Sequence, residues 1–86
     1  MGALLLETQL DGAHLSHAHL QEAVLILAHL KGANLTFAHL AGATLDWAQL
    51  EGADLRYTDV EAEQLKDADT DEHTKLPSST TGEPAT

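Results

Sequence analysis

The chain of 86 residues has no cysteine, so no disulfide and no thiolate metal site can brace it. Its three aromatic residues are Phe37, Trp47 and Tyr57, one of each kind, too few for an aromatic core. Basic residues are scarce: four Lys plus Arg stand against 14 Asp plus Glu, a net charge of −10. Such a surface repels a phosphate backbone, so direct nucleic-acid binding is not expected. The longest apolar run is AVLILA at 23–28, far short of the ~20 residues that a spanning helix needs. No basic stretch precedes an apolar run at the N-terminus, so no signal peptide and no membrane anchor are expected. With the lack of cysteine, this fits a cytoplasmic protein.

What the chain does have is a period of five. Leucine stands at every fifth position from Leu5 to Leu55, followed by Val60 and Leu65. Alanine stands two residues before most of them, from Ala3 to Ala53, with Thr8, Thr58 and Glu63 as exceptions. Neither common element suits this spacing. On an α-helix the leucines would spiral around the axis, and on a flat strand they would alternate between faces. The backbone has to turn a corner every five residues, so that Ala and Leu face one axis and the other three positions face out.

A second period, of 20, lies over the first. Gly12, Gly32 and Gly52 share it, as do His17, Phe37 and Tyr57, a candidate outward ladder of rings. Asp11, Lys31 and Glu51 alternate in sign, as charges on neighbouring rungs should. Four five-residue units per coil would stack all of these columns.

The unit A-x-L-x-x, as in GANLTFAHLAGATLDWAQLEGADL at 32–55, resembles the pentapeptide-repeat family. Twelve or thirteen units run from residue 3 to about 67, roughly three quarters of the chain. The resemblance implies an all-β solenoid: a right-handed quadrilateral β-helix of about three coils, with leucine at the centre and alanine letting the coils approach. The expected division is a β-helix over 1–60, a C-terminal cap over 61–77 and a disordered tail over 78–86. Within the cap, Thr58 with Glu61 has capping-box spacing, and a short helix over 61–68 should lie across the last coil. The competing reading carries the pentapeptides on through Leu65. TDEHTKLP at 70–77 resembles the closing segment of many bacterial members. SSTTGEPAT at 78–86 has almost nothing apolar to anchor it.

Five histidines, His14, His17, His19, His29 and His39, fall in outward slots. His19, His39 and Asp59 should stack on one face, and His14, Asn34 and Asp54 on its neighbour. Imidazole and carboxylate suit zinc, but stacked polar ladders need no metal, and no metal site and no cofactor are expected. There is no Ser-His-Asp order, phosphate loop or paired-acid spacing, and a coil filled by its own leucines leaves no substrate cavity. An enzyme is not expected.

The outward slots also hold large aliphatics. Leu4, Val24 and Thr44 form one column, Leu6, Ile26 and Asp46 the next, and Glu7, Leu27 and Trp47 the corner. Six of these nine are apolar and share one side of the square, and a contiguous patch of that kind marks an interface. The expected contact residues are therefore Leu4, Leu6, Val24, Ile26, Leu27 and Trp47. The N-terminal coil begins repeating at Ala3 with nothing to cap it, so the expected partner is a second copy, giving a homodimer through that coil. A foreign protein is the other occupant considered. The functional reading is a non-enzymatic, structural or protein-interaction module that self-associates. The alternative is an acidic DNA mimic that binds a type II topoisomerase (DNA gyrase), as the resemblance to longer acidic members implies. Against it stands length: the repeats make roughly 15 Å at one strand spacing per coil, under half of a duplex turn of about 34 Å.

Overall fold

The computed structural model describes residues 7–77. Its backbone is built on parallel bridges between residues 20 apart. Gln9 pairs with His29, His14 with Asn34, His19 with His39 and Val24 with Thr44, and the first two columns continue to Gln49 and Asp54. A 20-residue repeat is four pentapeptides per turn, so the chain is a β-helix whose four faces each add one bridge per coil.

The corner explains the five-residue unit. Each central leucine accepts, through its carbonyl, the N–H of the alanine three residues on, as in Ala13 to Leu10 at 2.9 Å and Ala48 to Leu45 at 3.0 Å. Closing so tight a turn puts its third residue at positive φ, from 53° at Glu7 to 73° at Gly42 and Gly52. Glycine takes that conformation without strain, which accounts for Gly12, Gly32, Gly42 and Gly52. Glu22, Leu27, Phe37, Trp47 and Tyr57 adopt it as well. Alanine, small enough to follow such a turn and still face the axis, fills most of these slots, with Thr8 and Thr58 part-buried in two of them.

Between corners the rungs are regular. His29 N–H donates to Thr8 C=O at 2.8 Å, and Leu10 N–H donates to His29 C=O at 2.7 Å. The residue before each leucine therefore aims both of its backbone groups at the preceding coil. Leu25, Leu30, Leu35, Leu40, Leu45, Leu50, Leu55 and Val60 are each at most 1% exposed, with the alanines between them. Burying one such leucine contributes about 1.5–3 kcal/mol, so the axial column is the main source of stability. Leu10, Leu15 and Leu20 occupy the same slots but are only partly buried.

At the C-terminal end the helix α1 spans Ala62–Leu65, shorter than the 61–68 read from helix propensity. It stops because Ala68 N–H bonds Leu65 C=O at 3.1 Å, the same corner that every earlier unit makes. The pentapeptide rhythm and the helix therefore share this stretch, and the corner takes over where the helix stops. The capping box is also displaced: Gln64 Oε1 accepts the Glu61 N–H at 2.8 Å, whereas the Thr58 hydroxyl is turned back to the Leu55 carbonyl at 2.8 Å.

Because α1 replaces a strand, side chains stand in for the missing backbone partners. Gln64 Nε2 donates to the carbonyls of Leu40 and Ala43 at 2.8 and 3.0 Å, and Asp59 Oδ1 accepts the Leu40 N–H. Beyond α1 the backbone ladder resumes. Trp47 N–H meets Asp67 C=O at 2.8 Å, and Asp69 pairs with Gln49. The turn over 71–74 then takes in one extra residue, so Asp54 pairs with Lys75, 21 residues on, and Leu76 packs on the core in place of residue 75. The tail expected over 78–86 lies outside the described residues.

Candidate interaction surface

Each corner column carries one kind of side chain through the stack. On one corner His17, Phe37 and Tyr57 form the ladder of rings the 20-residue period implies. Centroids are 5.0 Å apart for the first pair and 4.8 Å for the second. On the neighbouring face His19 and His39 stack at 4.6 Å. Asp59 does not extend that stack as a rung, because its carboxylate is held by the Leu40 N–H. The His14, Asn34 and Asp54 column is continuous. Its lower end is polar and paired: Arg56 makes a two-pronged bond to Asp54, with distances of 2.9 and 2.7 Å. That guanidinium holds the Asp54 carboxyl below the usual carboxylate range. Among the described residues, no group of three or more His, Asp and Glu is placed to hold a metal ion.

The column of alternating sign brings Asp11 beside Lys31, as the 20-residue period implies. Asp11 meets Lys31 through the backbone, its carboxylate accepting the Lys31 N–H at 2.9 Å, and no ion pair joins Asp11, Lys31 and Glu51 among the described residues. A carboxylate on a short side chain reaches the rung below more readily than it reaches a mobile ammonium on a long stem.

On the opposite corner Glu7, Leu27 and Trp47 follow one another. Leu27 N–H donates to Asp46 C=O and Trp47 N–H to Asp67 C=O. Leu27 is 41% exposed and Trp47 58%, both at positive φ, where a bulky side chain is strained. Val24 and Ile26 lie half-buried on the face that leads into this corner. Four of the six expected contact residues are thus brought to one side of the square. Leu4 and Leu6 lie outside the described residues. Sequence reasoning overlooked that Leu10, Leu15 and Leu20 at the first described coil are only partly buried.

A family model for pentapeptide repeats matches residues 8–45 and 18–56, with eight copies of the unit. The chain belongs to the pentapeptide repeat family. Among solved structures it is similar to a pentapeptide repeat protein, Rfr23, from the cyanobacterium Cyanothece 51142. The match has a TM-score of 0.68 at 41% identity and covers 86% of this chain and 47% of that one. This chain therefore spans about half the length of that relative. No curated protein matches it. Pentapeptide repeat proteins form right-handed quadrilateral β-helices and are in general non-enzymatic structural modules. Among the described residues no helix is long and apolar enough to cross a membrane.

Proposed function

We propose that this chain is a non-enzymatic, cytoplasmic protein-interaction module that self-associates as a homodimer through its N-terminal coil. The apolar side carrying Leu4, Leu6, Val24, Ile26, Leu27 and Trp47 is the contact surface. The observation that carries this reading is the Leu27–Trp47 corner. Leu27 and Trp47 face solvent at positive φ, as Phe37 and Tyr57 do on the opposite corner, but here the half-buried Val24 and Ile26 on the adjoining face extend the apolar surface. Light scattering of the wild-type chain and of Ile26→Lys tests it. A concentration-dependent dimer that Ile26→Lys turns into a monomer supports the reading. A wild-type monomer at tens of micromolar, roughly where a weak dimer still forms, leaves this side to a foreign protein.

The acidity favours a second reading, a DNA mimic that binds a type II topoisomerase. Its weakness is placement: seven of the 14 acids lie in residues 61–86, and the coils themselves carry the other seven. A supercoiling assay at matched salt tests it, and no inhibition or protection at micromolar chain rejects it.

A further inference from the structure

In a regular rung, the residue before the leucine bonds the preceding coil twice through its backbone. Thr44 does so: its N–H donates to Ala23 C=O at 2.9 Å, and its C=O accepts the Leu25 N–H at 2.8 Å. One coil on, Asp59 and Gln64 hold the same slot below His39 and Thr44. Neither bonds that coil with its backbone. A side chain makes one of the two bonds instead. Asp59 Oδ1 takes the Leu40 N–H, the place of its own C=O in a regular rung. Gln64 Nε2 donates to Ala43 C=O at 3.0 Å, the place of its own N–H. Among the described residues the Leu45 N–H and the Ala38 C=O are left without a partner, and both residues are at most 2% exposed. Buried backbone groups are seldom left so.

The register leaves room for the missing rungs. Gln49 pairs with Asp69, 20 residues on, as the earlier pairs do, so the chain between them holds four full units. Val60 and Leu65 pack on the core in the leucine slots. The helix α1 takes up the length, at about 1.5 Å per residue against about 3.3 Å in a strand, and Glu61, Ala62 and Glu63 stand exposed. For 58–65 to lie flat, no residue has to be added or removed. Only the Trp47 N–H changes partner, from Asp67 C=O to Lys66 C=O, which restores the 19-residue offset of Leu27 and Asp46.

One residue opposes closure. A rung turns the residue two before its leucine to the axis, and from Ala23 to Ala53 those slots hold alanines at most 4% exposed. In the two unformed rungs they hold Thr58 and Glu63. Threonine is compatible with a rung, since Thr8 occupies the slot and its C=O takes the His29 N–H at 2.8 Å. Glutamate is not, because closure would put an unpaired carboxylate among the leucines. In the open form Glu63 stays in water, its side chain 81% exposed and 3.3 Å from Lys66. A helix of four residues has little stability of its own, so this exclusion decides the conformation.

We infer that residues 58–65 form a strap poised to close on the last coil as two further rungs, held open by Glu63 in an alanine slot. Closure gives the Leu45 N–H and the Ala38 C=O their partners and releases the side chains of Asp59 and Gln64 to the surface. It adds a rung to the face of Val24 and Thr44, beside the apolar side, whatever that side binds.

Urea denaturation of wild type, Glu63→Ala, Gln64→Ala and the double variant tests it. In wild type the Gln64 amide stands in for the rung, so Gln64→Ala lowers the urea midpoint. With Glu63→Ala the backbone of residue 64 makes that contact, so adding Gln64→Ala should lower the midpoint by less than about half as much. An equal loss in both backgrounds overturns the inference. Amide exchange is the second readout. The Leu45 N–H should exchange about tenfold or more slowly in Glu63→Ala than in wild type, beyond any change at Leu35, with resonances of 62–65 moving from helical to extended values. Helical resonances there, with Leu45 exchange matched to wild type, also overturn it. Glu63→Gln keeps a long polar side chain in the slot and should stay open by both measures. A closed strap in Glu63→Gln would show that the slot does not exclude residue 63, and the inference fails.

Discussion

The first and last described coils of this solenoid differ in how their outer sides are covered. At the C-terminal end the last coil is covered by its own chain. The amide of Gln64 and the carboxylate of Asp59 satisfy backbone groups that lack a strand, Leu65, Ala68 and Leu76 close over the core, and the Thr74 hydroxyl bonds the Leu50 carbonyl at 2.8 Å. At the N-terminal coil, among the described residues, no comparable side chains do this, and three core leucines remain part-exposed. An identical repeat is fully buried in one place and open in another, so the repeat alone does not make a core. Each coil is completed by its neighbours, and an end needs either a dedicated segment or another chain.

The strongest way to break the comparison is to truncate leucine in both settings. Leu35→Ala, in the covered middle, should cost about 2–5 kcal/mol and leave little folded protein. Leu15→Ala at the open coil should cost well under half of that, because part of its side chain is already in water. Urea denaturation of the two variants measures the gap, and equal losses would mean the N-terminal coil is as closed as the rest. A smaller effect is expected from Gln64→Ala. It strips the carbonyls of Leu40 and Ala43 and the N–H of Glu61 of a partner. The expected cost is about 1–3 kcal/mol, the penalty for a part-buried polar group left unmet. Hydrogen exchange should show opening confined to the C-terminal coil, with the N-terminal coil unchanged. Loss spread evenly over the chain would show that the cap is not a local device.

The smallest effect sharpens the comparison through pH. The Asp54 carboxyl is held down chiefly by Arg56. At Asp71 burial works to raise the carboxyl, and the N–H groups of Gly52 and His73 outweigh it, so its pKa is also lowered. A carboxyl whose folded pKa is depressed stabilises above its unfolded value, near 3.9, and that contribution is lost as pH falls through the folded value. Acid should therefore loosen the C-terminal closing segment first, below about pH 4. Arg56→Gln should reduce the acid sensitivity around Asp54 while leaving the melting temperature at pH 7 within a few degrees, since the pair is partly exposed. An acid transition that starts instead at the N-terminal coil would contradict this assignment.

Much of the molecule is legible from its residues in order. Leucine every five residues and alanine two before it force a corner per unit, since no helix or strand would keep them on one side. Columns such as His17, Phe37 and Tyr57 fix four units per coil, because rings stack only when residues 20 apart are superposed. The apolar corner of Leu27 and Trp47 follows from the same arithmetic. The sequence could not determine the events at the ends, where the repeat fails and competing local preferences have similar energies. Helix propensity placed α1 over 61–68, but the Leu65–Ala68 corner ended it at Leu65, because docking the leucine on the core outweighs another turn of a helix too short to be stable alone. Capping-box spacing pointed to Thr58 and Glu61, whereas the tertiary position of Gln64 over the Leu40 and Ala43 carbonyls selected Glu61 and Gln64 instead. Alternating charges at 11, 31 and 51 put Asp11 beside Lys31, and only the fold decided that its carboxylate takes the Lys31 N–H. Period and composition determined which way each side chain faces, because burial follows the corner geometry. Only the tertiary structure decided which backbone groups are left unmet and which side chains reach them, because that depends on distances between coils that no local pattern carries.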